Sequence, residues 1–420
     1  MNKVKLGEVL KIKHGFAFKS ENYVDESKYA LVTLANISPT NNFQFNREKT
    51  TFYGASFPDS FVLKDDDLIM PLTEQVVGLF GNTAFVPKIE GITFVLNQRV
   101  GKVVPVEGKA DKYYLHYLLS TDLVKDQLEY RASGTRQRNI SPDDIYDVEV
   151  FLPDINTQKS IGKYLYDIER KVNLNHTVND NLEQQVAAIY DYWFTQFDFP
   201  NDNGDPYCSS RGQMVWNDTL QKNIPERWKV QSVISNRLAS VIKPGIEVFD
   251  TKTYLATADV KGTTLSVGTI IDYGGRESRA NMQPSVNSVW FAKMKNSIKH
   301  LNLNKEMQPV ISNTILSTGF CGLQCSEESF EYIASYIANP YFEIHKDMLA
   351  HGATQKAVNN DDLAGVHIIV PNDAVLHAYH EITQPIYAQI SKNICENQEL
   401  VKLRDWLLPM LMNGQATISN

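Results

Sequence analysis

The sequence Gly134-Thr135-Arg136-Gln137-Arg138-Asn139-Ile140-Ser141-Pro142-Asp143-Asp144-Ile145 returns 218 positions later as Gly352-Ala353-Thr354-Gln355-Lys356-Ala357-Val358-Asn359-Asn360-Asp361-Asp362-Leu363. The register continues without a gap through Val148, Val150, Leu152 and Pro153, which fall on Val366, Ile368, Val370 and Pro371. Upstream, Tyr114-Leu115 falls on Tyr332-Ile333. Chance does not keep a Gly, a Gln, an acidic pair and a Pro in step over such a length. The chain is an internal duplication, so it must fold as a unit made twice.

Downstream of each Pro runs a long helical pattern. Ile161, Leu165, Ile168, Val172, Asn175, Asn179, Leu182, Val186, Ile189 and Trp193 follow alternating steps of four and three, the seam of a heptad repeat. The same offset gives Tyr379, Thr383, Ile386, Ile390, Asn393, Asn397, Leu400, Arg404, Leu407 and Leu411. One such seam could simply pack on its own domain. Two of matched length, each with two asparagines at mid-helix, point instead to pairing, because a buried polar pair costs stability and is best used to fix register and partner. A helix from about Asn156 to Gln196 would run roughly 60 Å, too long for one small domain to bury. The chain must return from one helix to the other, which predicts an antiparallel pair. Pro385 should kink the second helix or mark its effective start.

Between the copies, Phe199-Pro200-Asn201-Asp202-Asn203-Gly204-Asp205-Pro206-Tyr207 and Ser209 to Gly212 carry turn residues, and the second globule opens near Ile224 to Trp228. The globules read as short strands, at 30–34, 67–70, 91–95 and 148–152, with short helices such as Tyr113 to Leu119. The expected fold class is mixed α/β: two strand-rich domains in tandem, each followed by a long helix. A hydrophobic fraction of 43% and a charged fraction of 21% suit such a globular chain. The Met1 to Glu8 start lacks an apolar signal core and no stretch reaches the ~20 apolar residues of a membrane span, so a cytoplasmic location is expected. Cys208, Cys321, Cys325 and Cys395 form no disulfide framework. The net charge of −8 argues against coating nucleic acid by bulk charge, and leaves open a reader with local basic groups or basic partners.

Taken together, the layout resembles the specificity subunit of type I restriction–modification systems. The resemblance covers essentially the whole chain. It rests on the duplicated Gly134 to Ile140 and Gly352 to Val358 segments, on Trp193-Phe194-Thr195-Gln196-Phe197-Asp198-Phe199-Pro200, and on the ending Leu403 to Gln415. It implies a target-recognition domain at 1–153, a central helix at 154–197, a linker at 198–227, a second target-recognition domain at 228–371 and a C-terminal helix at 372–416. Each domain would read half of a split site in double-stranded DNA. The helices, registered by Asn175, Asn179, Asn393 and Asn397, would form a coiled coil that spaces the halves and binds two methyltransferase subunits, with restriction subunits joining. The resemblance implies no catalysis, cofactor or metal in this chain; S-adenosylmethionine, ATP and Mg would belong to the partners.

Reading DNA needs base-edge donors and acceptors plus phosphate contacts. Arg136, Gln137 and Arg138 follow Gly134, which would let the backbone approach a phosphate; the alternative is a solvated loop whose Gln caps the next turn. The second copy has Thr354, Gln355 and Lys356. Gln137 and Gln355 recur while their neighbours vary, which suits a structural or backbone role better than base selection. Lys13, His14, Phe18 and Lys19 combine charge and aromatics near Gly15, as a basic strand end also would. Gln98 and Arg99 could read a base as a bidentate pair or lie as a surface pair on a strand. Arg276 and Arg279 flank Glu277, which favours local ion pairing. Lys293, Lys295 and Lys299 fit phosphate contact or a solvated face equally.

Signals for chemistry are weak. Asn339-Pro340-Tyr341-Phe342 resembles an amino-methyltransferase motif, yet the second Pro and any Gly-rich cofactor turn are missing. Pro153-Asp154 with Glu169 and Lys171 has a loose nuclease spacing, but the last two sit on different faces of a helix. Cys321 with Cys325, and His377 with His380, lack further ligands at metal spacing. Two other classes stay open at this stage: a self-sufficient DNA methyltransferase or nuclease, and a protein-only interaction scaffold.

Overall fold

The computed structural model describes residues 1–75, 77–352 and 356–418. The chain divides into two units, residues 1–169 with 402–420 and residues 170–401. It is a mixed α/β protein with many short strands and two long helices.

In the first unit, seven strands make the framework: β1 (Asn2–Lys5), β2 (Leu10–His14), β3 (Tyr29–Val32), β4 (Leu68–Pro71), β5 (Thr93–Leu96), β6 (Val100–Pro105) and β7 (Glu149–Leu152). β6 lies between β2 and β4, antiparallel to both, β3 runs parallel to β5, and β1 pairs with β7. β7 alternates exposed Glu149 and Phe151 with buried Val150 and Leu152, the pattern of a strand with one wet face. β4 is buried at all four positions and is covered on both sides. Helices α1 (Lys112–Leu119) and α2 (Asp122–Arg131) pack Tyr114, Leu115, Leu118, Val124 and Leu128 into the core, where Leu411 and Met412 join them. Then α3 spans Ile155–Tyr190, started by Asp154, whose Oδ1 accepts from the N–H groups of Asn156 (3.0 Å) and Thr157 (3.1 Å).

The second unit repeats this plan with β8 (Lys229–Ser232), β9 (Ala239–Val241), β10 (Thr251–Leu255), β11 (Ser288–Ala292), β12 (Thr314–Ser317), β13 (Phe320–Cys325) and β14 (His367–Val370). β13 lies between β9 and β11, β10 runs parallel to β12, and β8 pairs with β14. Helices α4 (Phe330–Ala338) and α5 (Pro340–Leu349) follow, then α6 (Asp373–Met412). Asn372, the counterpart of Asp154, caps α6 by accepting from Val375 N–H at 2.9 Å. The duplication therefore reaches back to the first strand. Sequence comparison loses it above Tyr114 because loops of unequal length shift the offset, from 218 at α1 and α4 to 220 at β6 and β13, 221 at β4 and β11 and 227 at β1 and β8.

Within 198–227 the chain is more ordered than its turn residues suggest. Met214–Asn217 and Lys222–Pro225 form a hairpin, and Phe199 stacks between Tyr207 (4.6 Å) and Trp228 (4.8 Å). The expectation that Pro385 marks the effective start of its helix is corrected. α6 begins at Asp373 and is continuous through Pro385, which is exposed, so the carbonyl it leaves unpaired four residues earlier can take water.

Inside the second unit, 170–190 and 373–401 meet through their asparagines. Asn175 Nδ2 donates to Asn397 Oδ1 (2.8 Å) and to Glu396 Oε2 (2.7 Å), while Asn393 Nδ2 donates to Asn179 Oδ1 (2.8 Å). All four are at most 6% exposed. The partner number falls by four as the first rises by four. Replacing Asn179 alone by Leu strands the Asn393 amide and should cost about 1–3 kcal/mol, most of which Asn179→Leu with Asn393→Leu should recover. Urea denaturation of the single and double variants measures this. An equal cost in both would mean that the asparagines do not act as a pair.

Candidate nucleic-acid interface

In the first unit, backbone bonds draw the sequence-predicted residues to one end of the sheets. Val100 N–H donates to Asn97 O (2.9 Å), which puts Gln98 and Arg99 at the tip of the turn between β5 and β6. They are therefore not a pair on a strand surface. On one side, Gln98 N–H donates to Phe16 O (3.0 Å); on the other, Leu72 N–H donates to Arg99 O (2.9 Å) and Ile140 N–H to Leu72 O (3.0 Å). Thr73 then faces Asn139 across a two-residue ladder that also pairs Glu74 with Arg138. Neighbouring strands lie about 4.8 Å apart, so segments distant in sequence form one row. Gly15 makes the row possible, because a Cβ there would sit 2.1 Å from Asn97 O.

This end carries exposed His14, Gln98, Arg99 and Arg136. Among the described residues, neither Arg99 nor Arg136 has an ion-pair partner. Gly134, at φ +108°, turns the chain so that Ser133 and Asn139 exchange backbone bonds of 3.0 and 2.8 Å, which leaves Thr135 and Arg136 at the tip. Gln137 is half-buried and its Nε2 donates to Asn139 Oδ1 at 3.4 Å.

Other members of the predicted set have work inside the fold. Phe18 is 7% exposed, edge-on to Tyr53 (4.7 Å) and Phe57 (5.4 Å), so its ring belongs to the core. Lys13 donates to Ser60 O and lies over the Phe61 ring at 5.3 Å. Lys19 is exposed beside Glu21 at 3.7 Å. Arg138 Nη1 sits 3.0 Å from Glu74, which is only 1% exposed, and 2.5 Å from Glu129, so its charge is spent on two carboxylates.

The second unit builds the same row. Lys293 N–H donates to Gly319 O (2.9 Å), Val358 N–H to Lys293 O (3.0 Å) and Lys295 N–H to Lys356 O (2.9 Å), with Met294 bridged to Ala357. Lys293, Met294 and Lys295 thus occupy the places of Leu72, Thr73 and Glu74, and Lys356 that of Arg138. Thr318 N–H donates to Arg279 O (2.8 Å), which brings Arg279 to the same turn. The local ion pairing expected for Arg276 and Arg279 is not what forms. Arg276 stacks on the Tyr273 ring at 3.9 Å and donates to its carbonyl, and Arg279 is exposed. Thr354 and Gln355 lie outside the described residues. Lys299 is tied to Val260 O at 2.7 Å.

The weak chemical signals have structural partners. Asn339 caps α5, its Oδ1 accepting from Tyr341 N–H (2.9 Å) and its Nδ2 donating to Asp191 (3.2 Å). Glu169 accepts from the Tyr117 hydroxyl at 2.8 Å; burial pushes its carboxyl up, and the bonds from His116 and Tyr117 outweigh that and hold it below the usual value. Lys171 pairs with Glu396 at 3.0 Å. Burial pushes the Cys321 thiol up to about 12, which makes it inert. His377 and His380 face different carboxylates, Glu328 and Glu331. What sequence reasoning missed is the row itself and the inward-facing charges of α5, described below.

Residues 1–184 match the model of the type I restriction modification DNA specificity domain. The type I restriction enzyme MjaIX specificity subunit of Methanocaldococcus jannaschii is 23% identical over 334 residues, 77% of this chain and 73% of the relative. The HindI specificity subunit of Haemophilus influenzae is 20% identical over 331 residues, 67% of this chain and 72% of the relative. In fold, the crystal structure of the S subunit of a type I restriction–modification system from M. genitalium is similar, with a TM-score of 0.54 at 12% identity, covering 98% of this chain and 96% of that one. The fold and the match together define the class, a duplicated α/β chain with a DNA specificity domain in its first half. Residues 1–184 carry the type I restriction modification DNA specificity domain, and over most of its length the chain is similar to type I specificity subunits. No helix among the described residues is long and apolar enough to cross a membrane.

Proposed function

We propose that the chain is the non-catalytic reader of a bipartite site in double-stranded DNA, one half to each copy. The observation that carries this is the shared row. Two copies with different loops bring unpaired cationic and amide side chains to the same strand ends, Gln98, Arg99 and Arg136 in one and Arg279, Lys295 and Lys356 in the other. Guanidinium and amide groups can read base edges, and lysines can hold phosphates. The asparagine rungs support the reading of α3 and α6 as an antiparallel coiled coil that sets the gap between halves. Off the seam, Trp406 is 64% exposed and Leu174 56%, apolar surface suited to docking two methyltransferase subunits, with restriction subunits added. S-adenosylmethionine, ATP and Mg are assigned to those partners.

The net charge of −8 means that partners supply much of the phosphate neutralisation. Alone, the chain is expected to bind DNA weakly at physiological salt and to transfer no methyl group from labelled S-adenosylmethionine. With methyltransferase subunits, gel shift should show sequence-dependent binding, and exchange of residues 1–153 for those of another specificity subunit should change one half-site only. Methyl transfer by the purified chain would establish a self-sufficient methyltransferase instead. Binding that never depends on DNA sequence in the full complex would leave a protein scaffold.

A further inference from the structure

The two copies secure the same loop by opposite chemistry. In the first, Glu74 accepts from the N–H groups of Leu79 (3.0 Å) and Phe80 (3.3 Å), and Arg138 neutralises it from the facing strand. In the second, both of these positions are lysines, Lys295 and Lys356, so that clamp cannot form. Its work is taken over from beneath by α5. Lys346, where the first copy has Leu128, is completely buried, as Leu128 is. Its Nζ donates to Glu343 Oε2 (2.5 Å), Ala292 O (3.2 Å) and Ser297 O (3.5 Å), so one amine ties both ends of the turn. Asp347 Oδ2 accepts from Asn296 N–H (3.1 Å), and Asn296 adopts a left-handed φ of +56°. Glu343 Oε1 lies 2.8 Å from His300 Nε2, at the far end of the segment.

A buried charge costs several kcal/mol unless its partners are well placed, and like charges directly opposite each other on neighbouring strands repel. The second copy carries both features around one turn. Lys295 and Lys356 have no ion pair among the described residues. Asp347 on α5 accepts from Asn296 N–H and lies 3.7 Å from Lys346. Two lysines on paired backbone segments, with no ion pair among the described residues, suit a single anion with several oxygens.

We propose that Lys346, with Glu343 and Asp347, is a positioning residue that holds the 292–297 turn so that Lys295 and Lys356 together receive one phosphate of the DNA backbone. The first copy, with an internal ion pair there, has no such site. The proposal rests on the reading of this row as the DNA face. Lysine acts as a point charge, so the contact adds affinity without choosing a base.

Two sets of variants test it. In the isolated chain, Lys346→Leu with Glu343→Gln, a pair that copies Leu128 and leaves no buried carboxylate, should raise amide exchange across 293–297 about tenfold or more while the rest of the second unit keeps its protection. Asp347→Ala, at a partly exposed position, removes the acceptor and should free Asn296 N–H specifically. In the complex with methyltransferase subunits, Lys295→Gln with Lys356→Gln should keep that protection, weaken binding equally for all DNA sequences and lower the slope of log K against log salt by about 1–2. Exchange unchanged in the first two variants would overturn the clamp. An unchanged salt slope would overturn the phosphate site, and so would altered base preference at one half-site. Failure of the unmodified complex to prefer any DNA sequence would instead remove the underlying reading and leave the exchange result standing.

Discussion

Deleting residues 170–176 from α3 and 396–402 from α6 is expected to shorten the gap in the recognised DNA by roughly three base pairs and to leave both half-site sequences as they were. Seven residues of α-helix span about 10 Å, and B-DNA rises about 3.4 Å per base pair. The two heptads face each other in the register of the asparagine rungs. Their removal takes out the Asn175–Asn397 rung and keeps Asn179–Asn393, and none of the deleted residues belongs to a hydrophobic core. Two turns are lost from each helix, so the seam stays in phase. Sequencing of methylated adenines in cells carrying the shortened chain gives the gap directly. A gap that stays the same, or half-sites that change, would show that helix length is not the ruler.

Arg138→Ala should destabilise the first unit by about 3–5 kcal/mol, whereas Arg136→Ala, two residues away, should leave stability within about 0.5 kcal/mol. Arg138 is the cationic partner of Glu74, which is 1% exposed and also holds two backbone N–H groups of the neighbouring loop. Removing the guanidinium leaves a carboxylate buried without its counter-charge. Arg136 is exposed at the tip of the turn, and its loss should appear only in DNA binding by the complex. Denaturation midpoints and gel shifts on the same two variants separate the roles. Comparable stability in both would mean that the Glu74 ion pair contributes little, and the contrast drawn between clamp and contact would fail.

These neighbours show how far a sequence can be read. Arg136, Gln137 and Arg138 look alike in the sequence, three polar donors after a glycine, and nothing local separates them. Arg138 is paired into the ladder opposite Glu74, while the turn opened by Gly134 leaves Arg136 outside it, a difference set by pairing with residues more than sixty positions away. Phe18 was equally ambiguous, since an aromatic beside lysines suits a core or a stacking surface, and only Tyr53 and Phe57 decide for the core. Lys346 gave no signal at all, because a lysine on a short helix is ordinarily solvated and the carbonyls it holds come from a strand end fifty residues earlier.

The sequence by itself determined the duplication from Tyr114 onward, the two long helices with their seam, and the asparagines that mark its middle. Each of these is written in spacing along the chain, and helical periodicity needs no distant partner to be expressed. Tertiary structure alone decided which charges face outward, how the early strands of the two copies correspond, and that turns far apart in sequence share one row. Those outcomes depend on nonlocal strand pairing, where one residue of register moves a side chain from solvent to core.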